Sequence, residues 1–254
     1  MRLKNKVAIV TGGASGIGAA TCRLYAQEGA AGIVVADINE EAGQSVAGEI
    51  VQAGGEAIFV HLDVSVESQW IDTVNATVER YNRLDITVNN AGMSVAESRV
   101  KVEDTTVEIW DRLHAVNSTG VFLGTKHSIS PMRENGSGSI INISSVSGYV
   151  AGSRRHPAHA ATKAGIAGLT KQIAVEYGPM GIRCNAIAPG FLVYSEGQRR
   201  VAGQSGSGPS VEGIPMGRHV TPTDTAMCAL YLASDESAMV NGQTLVLDGG
   251  RSVA

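Results

Sequence analysis

The sequence predicts an α/β fold: a mostly parallel, doubly wound sheet with helices on both faces. Short β-branched apolar runs alternate with longer segments of helical spacing through all 254 residues. The strand-like runs are apolar at consecutive positions, as strands covered on both faces are. Glycine is abundant at 31 residues, which lets helices sit close to a sheet and backbone sit close to a ligand. Right-handed crossovers between parallel strands complete the double winding.

The elements follow in order. Residues 6–12, KVAIVTG, read as a buried strand ending in glycine. Residues 16–29 have helical spacing, with Ile17, Ala20, Leu24 and Tyr25 on one face. GIVVADI at 32–38 is a second strand, and 40–55 a helix closed by glycines. EAIFVHLDV at 56–64 is a third strand, followed by a helix over 67–81 and a fourth strand, LDITVNNAG, at 84–92. From 108 to 132 the spacing of Trp110, Leu113, Val116, Val121 and Leu123 predicts one long helix. GSIINISS at 138–145, a helix over 158–177, IRCNAIAPG at 182–190, a helix over 224–233 and QTLVLDGG at 243–250 complete the alternation.

No repeat or linker divides the chain, so one domain over 1–254 is expected. Residues 196–215 stand apart, rich in Gly and Ser with little periodicity. They read as a surface loop or a lid over a site, and the lid is favoured because long loops in compact domains are usually functional or disordered. The net charge of −4, with no basic run, argues against nucleic acid as the main partner. No apolar run approaches the ~20 residues that span a bilayer, and the N-terminal stretch has no signal-peptide apolar region. Cys22, Cys184 and Cys228 show no CxxC spacing and read as buried apolar residues of a reducing compartment. A cytoplasmic protein is expected.

Chemistry enters at TGGASGIG, which sets Gly12, Gly16 and Gly18, with Ser15 and Ile17 between them, after the first strand and at the start of the first helix. Glycine closes such a turn and lets a pyrophosphate touch backbone, while the helix N-terminus stabilises the anion. The spacing is Gly-x3-Gly-x-Gly rather than GxGxxG, and a bare turn is the plain alternative. Asp37 ends the second strand, where an acid accepts hydrogen bonds from the adenosine ribose. A carboxylate there repels a 2′-phosphate, and no Arg or Lys adjoins it, so NAD is expected over NADP.

Further motifs fall in order: Asp63 and Val64 in LDV, NNAG with Asn90 and Gly92, Asn117 after Val116, Ser145 in NISS, Lys163, NAIAPG with Pro189 and Gly190, then LVLDGG. Over nearly its whole length the chain resembles the short-chain dehydrogenase/reductase family. The resemblance implies a single Rossmann-type domain with seven parallel strands. It implies NAD(P)-dependent hydride transfer at an alcohol or carbonyl carbon of a small molecule, and a homotetramer. It implies that Asp63 and Val64 flank the adenine, that Asn90, Gly92, Pro189, Gly190 and Leu192 line the cofactor groove, and that Asn117 holds a water in a proton relay. Ser145 would orient the substrate oxygen, and Lys163 would bind the nicotinamide ribose.

Two positions depart from the pattern. The family's catalytic tyrosine stands one helical turn before the lysine, and here that residue is His159. Ser145 and His159 are 14 residues apart, one more than the family leads one to expect, which places an insertion in SRRHP. Histidine titrates near ~6.5, against ~10 for tyrosine. Lys163 and a nicotinamide cation would hold it neutral, a plausible base for alcohol oxidation and a poorer acid for reduction. Four readings stand. His159 is the natural acid/base; Tyr149 or Tyr194 substitutes; the chain binds cofactor without catalysis; or the histidine was introduced into an ordinary member by a one-base change. The second departure follows the PG: Val193 and Tyr194 occupy the place of a family threonine, and Ser195 could take over its contact.

His156 and His159 are spaced i, i+3, but no carboxylate or cysteine completes a metal site locally, and none is expected. Arg154, Arg155 and His156 would stand near the substrate mouth, where they favour an anionic substrate or simply form a solvated charge run. His61, His114, His127 and His219 carry no constellation.

Overall fold

The computed structural model describes residues 1–94, 96–150, 156–192 and 210–254. Seven strands form one sheet: β1 (Val7–Thr11), β2 (Gly32–Asp37), β3 (Ala57–His61), β4 (Ile86–Asn89), β5 (Gly138–Ile143), β6 (Ile182–Pro189) and β7 (Thr244–Leu247). Every pairing is parallel, and the order is β3-β2-β1-β4-β5-β6-β7. The expected Rossmann-type sheet is what the chain forms. The helices are α1 (Gly16–Gln27), α2 (Glu40–Gln52), α3 (Glu67–Tyr81), α4 (Val107–His114), α5 (Gly120–Glu134), α6 (Pro157–Tyr177) and α7 (Pro222–Ala233).

The period-2 geometry of a strand splits the apolar runs between two cores. Ala8 and Val10 of β1 face one way, with Ile33 and Val35 of β2, against Tyr25 of α1, Ile50 of α2 and Leu230 of α7. Ile9 and Val34 face the other way, against Trp70 of α3, Leu123 of α5 and Ile173 of α6. Helices on both faces are thus dictated by runs that leave no polar side.

β1 and β4 are neighbours from which the chain winds in opposite directions. A crevice opens outside the carboxyl ends of strands at such a switch point. It lies where Thr11 and Asn89 hand over to the glycine turn and to NNAG.

Two expectations are corrected. The helix predicted over 108–132 forms as one continuous helical run but is not regular: a π-helical segment, Ala115–Thr119, lies between α4 and α5, and α5 runs on to Glu134. Gly120 accounts for the close approach there, since a Cβ on it would lie 2.7 Å from Val64 Cγ2. Trp110 does not join the core; it is 39% exposed and stacks on His114 with ring centroids 4.5 Å apart. Cys22 and Cys184 are buried as expected, whereas Cys228 is only partly so. No described helix is long and apolar enough to cross a membrane. Of the expected lid, 196–209 lies outside the described residues; Ile214 at its far end is buried.

Candidate active site

A cleft of about 690 Å³ follows the switch point. Gly12, Ser15, Gly16 and Ile17 line its first wall, Asp37, Asp63 and Val64 one end, and Asn90 and Gly92 its middle. Ser145, His159 and Lys163 stand at the other end, with Pro189, Gly190 and Leu192 closing it. Two predicted residues lie beneath rather than on the surface: Gly18 packs under the turn, and Asn117 is fully buried.

The turn fits an anion. Gly12 and Gly16 have φ of +62° and +53°, which L side chains rarely adopt. A Cβ on Gly18 would lie 2.0 Å from the Gly12 carbonyl oxygen, so the helix start can approach the turn only without a side chain. Asn90 Nδ2 donates to the carbonyl oxygens of Thr11 (2.8 Å) and Gly12 (3.3 Å). The Thr11 hydroxyl accepts from the Asn90 and Ala91 backbone N–H groups. Thr11 opens the TGGASGIG motif, but the sequence assigned it no role of its own; a threonine closing the first strand is the signal that marks it.

Asp37 is bound to the same turn. Its Oδ2 accepts from the Ala14 N–H at 3.0 Å and its Oδ1 from the Asn39 N–H at 2.9 Å. Each oxygen keeps a second lone pair for a ribose hydroxyl. Asp63 is held alike: Gln69 Oε1 accepts from its N–H, and its Oδ1 accepts from both Ser65 groups.

The chemical end is built on β5 and α6. The Ser144 hydroxyl donates to the Lys163 carbonyl at 2.8 Å, and Lys163 Nζ donates to the Ile143 carbonyl at 2.8 Å. A Cβ on Gly148 would lie 2.7 Å from the Ala164 nitrogen, so the turn carrying Ser145 rests directly on α6. Ser145 caps that turn, its hydroxyl oxygen accepting from the Ser147 N–H at 3.2 Å. Lys163 is 5% exposed, and burial lowers its pKa to about 8.

His159 stands one turn before Lys163. Burial first, then the Lys163 ammonium and His156, lower its pKa to about 4; a backbone hydrogen bond with Met93 works against this. Its Nδ1 is buried with no hydrogen-bond partner among the described residues. The His156 ring meets it edge to face, centroids 5.8 Å apart, and His156 Nδ1 lies 3.4 Å from the Ser98 hydroxyl. No three metal-binding side chains group together among the described residues.

Asn117 sits in the π-helical segment. Its Oδ1 accepts from the Met93 N–H at 2.7 Å, and its Nδ2 donates to the Met93 carbonyl at 3.0 Å and to Thr162 at 3.3 Å. The carboxamide therefore holds the loop after β4 against α6. A Cβ on Gly92 would lie 3.4 Å from both Asn117 Oδ1 and Lys163 Nζ, which brings Gly92, Asn117 and Lys163 to one point. Tyr149 is 44% exposed and does not line the cleft. Val193, Tyr194, Ser195, Arg154, Arg155 and the rest of the expected insertion except His156 and Pro157 lie outside the described residues. Ile38, Met93 and Arg112 line the cleft without having been singled out. Ile38 was marked only by following Asp37, and Arg112 by standing one turn before Val116.

A family model described as enoyl-(acyl carrier protein) reductase matches residues 12–252. The cyclopentanol dehydrogenase of Comamonas sp. (strain NCIMB 9872) is 39% identical over 249 residues, covering 98% of each chain. The 3-alpha-(or 20-beta)-hydroxysteroid dehydrogenase of Mycobacterium tuberculosis (strain ATCC 25618 / H37Rv) is 40% identical over 256 residues, covering 98% of this chain and 90% of its own. A crystal structure of a gluconate 5-dehydrogenase from Burkholderia cenocepacia J2315, in complex with NADP and tartrate, superposes with a TM-score of 0.89 at 33% identity, covering 100% of this chain and 97% of that one.

Proposed function

This chain belongs to the short-chain dehydrogenase/reductase family, and we propose that it is an NAD(H)-dependent oxidoreductase interconverting a secondary alcohol and its ketone. One catalytic domain over 1–254 carries the activity, with 196–215 as a lid over the substrate. The observation that carries the reading is the meeting of Gly92, Asn117 and Lys163 at one point, on the same cleft as Ser145 and His159. Two relatives are named for ring alcohols, so cyclic secondary alcohols are the first substrates to try.

Bound NAD+ supplies the hydride acceptor. The glycine turn and the start of α1 hold its pyrophosphate, and Asp37 accepts from the adenosine ribose. The Asp37 charge supports NAD over NADP, although the gluconate 5-dehydrogenase structure holds NADP. Ser145 donates to the substrate oxygen and orients it. His159, neutral above about pH 4, takes the hydroxyl proton as the O–H bond breaks, and the carbinol hydrogen leaves with its electron pair. Lys163 holds the nicotinamide ribose, and Asn117 keeps the Met93 loop in place beside it.

A second reading has its own support. An imidazole held at about 4 is a weak base, which favours a cofactor-binding chain with impaired catalysis. Reduced-cofactor formation from cyclopentanol, cyclohexanol and a 3α-hydroxysteroid, with NAD+ and NADP+, separates the two. The chain is compared with its His159→Tyr and His159→Ala variants. The first reading expects NAD-dependent turnover that falls on the order of 10²-fold in His159→Ala. Silence in the chain itself, broken by His159→Tyr, establishes the second. Turnover unchanged in His159→Ala removes His159 from the chemistry.

A further inference from the structure

Arg112 is a cation of the cleft that no described carboxylate pairs. It is exposed on α4 and lines the cleft; further along the same helical run Gly120 approaches the Val64 end, where a Cβ would lie 2.7 Å from Val64 Cγ2. Glu108 and Asp111 share its helix, yet its guanidinium makes no ion pair or hydrogen bond among the described residues. Val116, one turn on, lines the same wall. Ile38 also lines the cleft and leaves 65% of its surface exposed immediately after Asp37.

These residues bracket one part of a dinucleotide. The glycine turn takes the pyrophosphate, Asp37 the adjoining ribose, and Lys163 the nicotinamide half. What remains beyond Asp37 is the adenine, a flat, uncharged heterocycle. An exposed apolar side chain and an unpaired guanidinium plane both suit its faces. A phosphate suits neither Ile38 nor the Asp63 carboxylate.

We propose that Arg112 stacks its guanidinium on the adenine of the bound cofactor and is a further cofactor-binding residue of this chain. The proposal rests on the dinucleotide reading but not on NAD over NADP, because adenine is common to both. Calorimetric titration of the full chain and its Arg112→Ala and Arg112→Lys variants tests it, with NADH, NADPH, ADP-ribose and reduced nicotinamide mononucleotide as ligands. Arg112→Ala should weaken NADH and ADP-ribose by roughly 5- to 30-fold. Arg112→Lys, which keeps the charge and loses the plane, should fall between. The mononucleotide, which has no adenine, should bind all three proteins alike. Unchanged ADP-ribose affinity in Arg112→Ala overturns the proposal, as does an equal loss for the mononucleotide. Full affinity in Arg112→Lys with a steep salt dependence would mean a phosphate contact instead, and also overturns it. Failure of the unaltered chain to bind either NADH or NADPH brings down the dinucleotide reading itself.

Discussion

Burial and the Lys163 ammonium keep His159 neutral through the physiological range, and this acts on stability. An unfolded chain protonates this ring as the pH falls through ~6.5, whereas the folded chain does so only near 4. Between those values the unfolded state binds more protons, so stability falls as the pH falls. Above pH ~6.5 the effect is absent; below about 4 it is complete, at most ~3 kcal/mol, and less where water reaches the ring. Thermal midpoints of the chain and of His159→Tyr, measured from pH 8 to pH 4, check this. The gap between the two should shift against the histidine form as the pH drops below 6.5 and stay constant above 7. A constant gap throughout would mean that the imidazole titrates near its ordinary value. The histidine itself was legible in the sequence, one turn before Lys163. Its burial was not, because it depends on Met93 arriving from β4 through Asn117, a contact 24 residues apart that no local pattern encodes.

At the scale of elements, the glycine turn was legible and the π-helical segment was not. Glycine spacing reports close approach directly, and Gly18 shows why: its place against the Gly12 carbonyl leaves no room for a methyl group. Leu113 before the π segment, Val116 within it, and Val121 and Leu123 after it are apolar at spacings that a regular α-helix also satisfies, so periodicity alone predicts one regular rod. The π segment lies where Gly120 meets Val64 and Asn117 meets Met93, contacts that no local pattern encodes. The turn offers a clean separation of binding from folding. In Gly18→Ala the helix gains a better helix former, but the Cβ pushes the turn and Asn90 apart. The variant should keep its far-ultraviolet spectrum and lose roughly 1–3 kcal/mol of stability to overpacking. Its NADH affinity should drop on the order of tenfold or more if the turn cradles the pyrophosphate as proposed, because that backbone has moved. Undiminished affinity would mean that the phosphates sit elsewhere.

The whole molecule places its two kinds of polar work at opposite ends of one sheet. The cleft lies at the carboxyl ends of β1 and β4. At their amino ends Asp85, 2% exposed, accepts from the Val7 N–H at 2.9 Å and from Arg83 through both oxygens at 2.7 and 2.6 Å. The Asp85 N–H in turn donates to the Val7 carbonyl at 3.0 Å. β1 and β4 are the one strand pair through which both windings of the sheet connect, so this carboxylate joins the two halves where the connection is narrowest. Replacing it by alanine leaves a guanidinium and a backbone N–H without their acceptor, and the loss should be roughly 3 kcal/mol. For a chain of this length that lowers the thermal midpoint by about 6–12 °C. The cleft lies a strand's length away, beyond the reach of a local rearrangement, so NADH affinity at 20 °C should be unchanged in Asp85→Ala. Melting curves with and without NADH read both quantities at once: a lower midpoint in the free protein, and an undiminished upward shift on adding the cofactor. A diminished shift would mean that the two ends of the sheet are coupled, and that the crevice depends on the strand register beneath it as well as on its own glycines.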